Sequence, residues 1–146
     1  MIRIAKYEDY EKLIAIWLEA SINAHDFIEP TYWINQKHEM KNIYLPSSET
    51  WVLADETIVA FVSMVDHHIA ALYLAPAYQF KGLGSQLIQF LKTKYQFLTL
   101  NVYALNQQGV HFYKKHDFQV VEEMLDENTG AKDYRMEWKL KDSRKH

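Results

Sequence analysis

The most constraining stretch of the chain runs from Leu72 to Ser85, where a short apolar segment leads into a glycine-containing turn. Leu72–Leu74 has the apolar character of a strand, and Pro76, which cannot donate to a central ladder, bounds it. Gly82 and Gly84 then precede a run with apolar residues at helical spacing, which are Leu87, Ile88, Leu91 and Tyr95. The stretch therefore predicts a strand, a tight turn and the start of an amphipathic helix.

A glycine turn that enters a helix is suited to binding an anion. The first N–H groups of a helix have no intrahelical acceptor, and they lie at the positive end of the helix dipole. Glycine has no Cβ, so a phosphate can approach its backbone closely. Two common phosphate motifs, GxxxxGK followed by Ser or Thr, and GxGxxG, are absent at this turn. The pattern that remains is Gln79-x-x-Gly82-x-Gly84, directly after the strand.

A second block, from Asn106 to Phe118, follows about one strand later. The first pattern resembles the acyl-CoA-binding signature Gln/Arg-x-x-Gly-x-Gly/Ala of the GNAT N-acetyltransferases. The second block resembles the family's N-x-x-A-x-x-F-Y-x-x-x-G-F, with Gly109 in place of the Ala and Asp117 in place of the Gly. The resemblance is strong over roughly residues 58–118, and it identifies the chain as a small bacterial single-domain acetyltransferase that uses acetyl-CoA.

Length and residue pattern predict one α/β domain. The chain has 146 residues, 49% of them hydrophobic and 24% charged, so we expect a single domain over residues 1–141 and a polar tail over residues 142–146. The predicted order of elements is β-α-α-β-β-β-α-β-α-β-β. This order predicts a mixed, mostly antiparallel sheet with helices on both faces, which is the GNAT acyltransferase fold that the resemblance also implies.

Three local predictions bear on the site. Residues 31–44 read as one helix. Residues 97–104 read as a strand that alternates, with Leu98, Leu100, Val102 and Ala104 on one face and Thr99, Asn101 and Tyr103 on the other. Residues 126–130 read as a solvated turn before the last strand.

Composition narrows the classes of function. The net charge of −3 argues against general nucleic-acid binding. The chain has no cysteine, which excludes disulfides, thiolate nucleophiles and cysteine-based zinc sites. His67 and His68 are adjacent and point to opposite faces of a strand, so we expect no metal site. No apolar run reaches membrane-spanning length and the N-terminus does not resemble a signal peptide, so we expect a cytoplasmic protein without membrane partners. We expect it to be a monomer or a homodimer.

The resemblance assigns a set of residues to acetyl-CoA. Backbone N–H groups of residues 80–85 would bind the pyrophosphate, and strand backbone at residues 72–74 would bind the pantetheine amides. Asn106 would bond the pantetheine arm, while a purely structural role as the N-cap of the following helix stays open. The full predicted cofactor set is Leu72, Tyr73, Leu74, Gln79, Phe80, Lys81, Gly82, Leu83, Gly84, Ser85, Asn106 and Tyr113.

Two residues are predicted to be catalytic. Tyr113 matches the family tyrosine that protonates the leaving thiolate, and a phenol stays protonated at neutral pH. Asn101 stands where many relatives carry Glu; it cannot take a proton, but it can orient water or the acceptor. The general base stays open among water, His25, His67, His68, Glu39 and no base at all. The segment His25-Asp26-Phe27 resembles one in a subgroup of small bacterial GNAT proteins, so His25 and Phe27 are also predicted to contact the acceptor; a structural role, with His25 or Asp26 capping a helix or closing a turn, stays open.

The predicted reaction is transfer of the acetyl group from acetyl-CoA to a primary amine. Because no cysteine can carry the acyl group and no Ser-His-Asp arrangement is apparent, we expect direct transfer in a ternary complex. The acceptor is a protein lysine, a protein N-terminus or a small amine. The alternative is a non-catalytic acyl-CoA-binding sensor, which the missing carboxylate at Asn101 favours.

Overall fold

Seven strands form one sheet in the computed structural model, which describes residues 1–141. The predicted polar tail lies outside the described residues. The strands are β1 (Ile2–Ile4), β2 (Glu49–Asp55), β3 (Thr57–Val65), β4 (His68–Leu74), β5 (Phe97–Tyr103), β6 (Gln119–Leu125) and β7 (Lys132–Lys139). Their spatial order is β1-β2-β3-β4-β5-β7-β6. Every neighbouring pair is antiparallel except β4 and β5, so the predicted mixed, mostly antiparallel sheet is confirmed.

Helices cover both faces of this sheet, as predicted. They are α1 (Tyr10–Ala24), α2 (Pro30–Ile34), α3 (Lys37–Glu39), α4 (Leu83–Lys94) and α5 (Gln107–Lys115). On one face, α1 and the segment after it bury Leu13, Trp17, Trp33, Met40 and Leu45 against Val52 and Phe61. On the other face, α4 buries Leu87, Ile88 and Leu91 against Leu98, Leu100 and Met136. Within residues 1–141, no helix combines the length and the apolar character needed to cross a membrane.

The prediction of one helix over residues 31–44 is wrong. The chain tightens after α2, where the N–H of Gln36 bonds the carbonyl of Trp33, three residues back. It then widens into a π-helical turn over Met40–Tyr44, and the N–H of Leu45 bonds the carbonyl of Met40. In a regular helix five residues rotate a side chain by about 140°. The wide turn reduces this rotation, so Met40 and Leu45 are buried in the same core.

Strands β4 and β5 separate soon after they meet. Their pairing is limited to His68 with Thr99 and Ile69 with Leu100, whereas β4 pairs with β3 along its whole length. Beyond Ile69, the edge of β4 that faces β5 has no strand partner among the described residues. The alternation predicted for β5 is confirmed, because Leu98, Leu100 and Val102 are buried in the α4 core while Tyr103 packs in the α1 core. The separation opens the sheet at its centre.

Candidate active site

A cleft of about 750 Å³ occupies the space between the separated strands. Its walls come from β4, β5, the start of α4 and the first two turns of α5. The predicted cofactor residues all line it except Lys81, whose ammonium instead lies 5.5 Å from the ring centre of Tyr78. Asn101 and His25 also line the cleft, and Phe27 packs behind His25, 5.6 Å between ring centres. The tertiary fold therefore gathers almost the whole predicted set around one cavity.

The glycine turn has the geometry of an anion site. Gly82 has a φ of +80°, the left-handed region that favours glycine, and it directly precedes α4. The helical hydrogen bonds begin with Gln86 N–H to the Gly82 carbonyl at 3.1 Å. The N–H groups of residues 83–85 consequently have no intrahelical acceptor and lie at the positive end of the α4 dipole. A pyrophosphate fits this arrangement of donors.

Gly84 is required for a different reason from Gly82. A Cβ on Gly84 would lie 3.1 Å from Cζ of Phe112, whereas a Cβ on Gly82 would meet nothing within 4 Å. Gly84 is buried in the first turn of α4, and its missing side chain lets α5 pack closely. The sequence predicted that both glycines let a phosphate approach the backbone; at Gly84, helix packing is a further reason for glycine.

Ser85 adds a hydroxyl group at the first turn of α4. Its Oγ lies 2.9 Å from Nε2 of His116, a buried residue directly after α5. The ring of His116 also packs on Phe112, 4.8 Å between ring centres. Burial and the nearby Lys92 and Lys115 lower the pKa of His116. The pair connects the end of α5 to the glycine turn.

Asn106 lines the cleft and also caps α5. The N–H of Gly109 donates to its Oδ1 at 3.0 Å. A Cβ on residue 109 would lie 2.6 Å from Nδ2 of Asn106, so this side-chain position is compatible with Gly109 and crowds the alanine of the family pattern. The capping role that the sequence left open is therefore present, and the amide still borders the cleft.

Tyr113 and Asn101 both line the cleft. Tyr113, on α5, is held between Phe112 and Phe118, with ring centres at 5.2 and 5.7 Å. Burial, followed by the neighbouring Tyr73 phenol, raises the pKa of Tyr113, so its hydroxyl stays protonated through the neutral range. Asn101 lies on β5 with an exposed side chain. Tyr113 therefore brings a protonated phenol to the cleft, and Asn101 brings a neutral amide.

One end of the cleft contains a group that the sequence analysis missed. Tyr103, Asp126 and Asp133 line this end, and the Tyr103 hydroxyl donates to the Asp126 carboxylate. Burial and Asp126 raise the pKa of both Tyr103 and Asp133. Asp126 was predicted to lie in a solvated turn; Glu127, Asn128 and Gly130 of that turn are exposed, whereas Asp126 is half-buried and bonded to Tyr103. The alternation of β5 already placed Tyr103 on the face of Asn101, but no sequence signal pairs it with Asp126.

The remaining base candidates do not line the cleft, although the cavity of His68 shares Trp33, Tyr73 and Asn101 with it. His67 packs against Phe97 and does not line the cleft. His68 lines a second cavity of about 410 Å³ on the α1 side, and its Nδ1 lies 2.6 Å from Oγ1 of Thr99. Glu39 borders neither cavity. Across residues 1–141, no three His, Asp or Glu side chains are grouped to hold a metal ion.

Similarity to known proteins identifies the family of this chain. The family model described as "Acetyltransferase (GNAT) domain" matches residues 46–120, and the chain belongs to this family. It is an acetyl-CoA-dependent N-acetyltransferase with the GNAT fold.

Individual relatives extend over nearly the whole chain. The peptidyl-lysine N-acetyltransferase YiaC of Escherichia coli is 29% identical over 94% of this chain and 96% of the relative. The peptidyl-lysine N-acetyltransferase YjaB of Salmonella typhimurium is 35% identical over 82% of this chain and 83% of the relative. A crystal structure of the PaiA N-acetyltransferase of Thermoplasma acidophilum, in complex with coenzyme A, superposes with a TM-score of 0.76. That likeness has 25% identity and covers 95% of this chain and 98% of the other.

Proposed function

We propose that this enzyme transfers the acetyl group of acetyl-CoA to a lysine side chain of a protein or peptide, by direct attack while both substrates are bound. The observation that carries the proposal is the continuous cleft, which runs from the glycine turn past Tyr113 to the acidic end at Asp126 and Asp133. One end suits an anion and the other suits a cation. Relatives named peptidyl-lysine N-acetyltransferases support lysine as the acceptor.

In this proposal, different residues along the cleft bind acetyl-CoA, transfer a proton and orient the acceptor. The N–H groups at the start of α4 bind the pyrophosphate, and the unpaired edge of β4 bonds the pantetheine amides as an added strand would. Acetyl-CoA supplies the activated thioester. Holding both reactants in one cleft supplies the orientation that a bimolecular reaction in water lacks. Tyr113 donates its proton to the departing thiolate, and Asn101 orients the acceptor or a water molecule.

The acidic end gives the acceptor its expected character. An amine in solution is an ammonium ion, which carboxylates attract. Asp126 and Asp133 lie at the cleft end beside the rings of Tyr103 and Trp33. Aromatic walls accommodate the aliphatic stem of a lysine, while the carboxylates attract its charged head. A neutral or anionic acceptor would find no complementary charge there.

The test combines binding and turnover on the full-length protein. Calorimetric titration with acetyl-CoA should give saturable binding. Thiol release should then be measured with lysine-containing peptides, with peptides that offer only a free α-amine, and with spermidine. We expect turnover on lysine peptides, with initial-rate lines that intersect when both substrates are varied.

Three results would count against the proposal. Turnover confined to α-amines or spermidine would refute the lysine assignment. Parallel initial-rate lines would refute direct transfer. Binding of acetyl-CoA without turnover on any acceptor would favour the non-catalytic sensor.

A further inference from the structure

His25 occupies an unusual position at the end of α1. It is 6% exposed and nevertheless lines the cleft, near the acidic end. Its backbone N–H bonds the carbonyl of Ser21 at 3.2 Å, and its ring Nδ1 lies 2.8 Å from the same oxygen. Both contacts follow from the last turn of α1, so the helix itself sets the position of the ring.

The contact with Ser21 determines the tautomer of His25. A carbonyl oxygen only accepts hydrogen bonds, so Nδ1 must carry the hydrogen, and in the neutral ring Nε2 carries the lone pair. No residue among 1–141 hydrogen-bonds Nε2. His25 thus brings an unsatisfied acceptor to the lining of the cleft.

Three aromatic rings hold the His25 ring in its plane. Trp33 stacks on it at 5.2 Å with an interplanar angle of 30°. Tyr103 and Phe27 meet it edge-on, with ring centres at 5.2 and 5.6 Å. A side chain enclosed in this way keeps its orientation when a substrate arrives, which general-base catalysis requires.

The surroundings of His25 keep the ring neutral. Burial lowers the pKa of His25, which the Ser21 carbonyl offsets in part. From α1 it faces a carbonyl, from α2 an indole, and from β5 the Tyr103 phenol, which bonds Asp126. The adjacent Asp26 is exposed. At neutral pH the ring therefore offers a free lone pair.

The inference rests on the proposed function: we propose that Nε2 of His25 accepts the proton of the attacking amine. The bound lysine ammonium first loses one proton to water; the neutral amine nitrogen then forms a bond to the acetyl carbonyl carbon, and the carbon–sulfur bond breaks. One proton passes from the nitrogen to Nε2 of His25, and one passes from Tyr113 to the thiolate sulfur. The proton on His25 then returns through water to the Tyr113 oxygen, so the step is balanced. The nitrogen becomes acidic as its new bond forms, which is why a weakly basic imidazole suffices.

The first experiment compares His25→Gln with the wild type on a lysine peptide. General bases contribute roughly 100-fold or more, so we expect kcat to fall by about that factor while the Kd for acetyl-CoA changes by less than about twofold. The wild-type kcat should fall as the pH drops through the His25 pKa, below 6.5. The lysine itself titrates near pH 10.4, so its own effect is separate. We call this fall of kcat at low pH the acidic limb of the pH profile. The His25→Gln variant should lack it.

Control variants separate the base from its surroundings. Asp133→Asn alters the same end of the cleft and should raise the KM for the acceptor while keeping the acidic limb. His68→Gln removes another partly buried imidazole, outside the cleft, and should also keep the limb. His25→Ala leaves a space lined by Trp33, Phe27 and Tyr103, and added imidazole should restore part of kcat. Circular dichroism and thermal melts establish that each variant is folded.

Three results would overturn the inference. The first is a folded His25→Gln enzyme with kcat within about threefold of the wild type. The second is retention of the acidic limb in that variant, and the third is loss of the limb in Asp133→Asn. All three measurements require an active wild-type enzyme. If the wild type binds acetyl-CoA but acetylates no amine, the proposed function fails first, and the base assignment fails with it.

Discussion

At the residue scale, the surroundings of Tyr113 fix its ring and keep its hydroxyl protonated. Phe112 and Phe118 fix the ring, and burial raises the pKa of the phenol above the ordinary value of 10.0. A proton that solvent does not remove at neutral pH is still on the phenol when the carbon–sulfur bond breaks. The enclosure therefore gives the ring a packing role, and the hydroxyl group a proton to donate.

Replacing Tyr113 with Phe separates catalysis from packing. The ring and its contacts are kept and the proton is removed, so we expect kcat to fall by about 100-fold. The acetyl-CoA affinity should change by less than about threefold, as calorimetry measures. Tyr95→Phe is the matched control, since Tyr95 is partly buried at the end of α4 and does not line the cleft. Equal losses of kcat and affinity would make Tyr113 a structural residue.

At the element scale, the start of α4 combines two glycines with different physical demands. Gly82 has a positive φ and open space around it, while Gly84 has close contact with the ring of Phe112. The first sets the conformation of the glycine turn, and the second sets the distance between α4 and α5. The site thus depends on a backbone conformation and on a helix contact two residues apart.

Substitutions at the two glycines should therefore differ in kind. Gly82→Ala places a methyl group in open space at a left-handed position, and we expect a loss of stability of about 1 kcal/mol with clearly weaker acetyl-CoA binding. Gly84→Val overpacks the contact with Phe112, which costs about 1–3 kcal/mol. Urea unfolding and calorimetric titration measure the two effects. In a double-mutant cycle, Gly84→Val should cost less stability in a Phe112→Ala background than in the wild type; an equal cost in both backgrounds would contradict the packing role.

At the scale of the whole molecule, three histidines are buried or partly buried on different sides of the sheet. Burial lowers the pKa of His25, His68 and His116 below the ordinary 6.5. Between the folded and unfolded values, the unfolded chain binds protons that the folded chain does not. Stability therefore rises with pH across this window. The contribution of these histidines is complete above pH 6.5, and it is lost progressively as the pH falls toward their folded-state pKa values.

The whole-molecule prediction is a fall in Tm as the pH drops from about 7.5 to 5. Asp9, whose pKa the Arg3 contact lowers, acts in the same direction only below 3.8. Asp133, whose pKa is raised, acts in the opposite direction from 3.8 upward. A series of thermal melts measures the slope, which His68→Gln should reduce. A Tm that does not change across this range would contradict the prediction.

Local chemistry determined much of this protein from sequence alone. The strand, the glycine turn and the helix at residues 72–94 depend on nearest neighbours, so the sequence pattern predicted them, and with them the family and most residues around the cleft. The alternation along β5 placed Asn101 and Tyr103 on one face. Only the tertiary structure decided which residues from distant segments meet. The separation of β4 and β5, the contact between Gly84 and Phe112, the bond from Tyr103 to Asp126 and the tautomer of His25 all depend on packing between elements, which local sequence patterns do not encode.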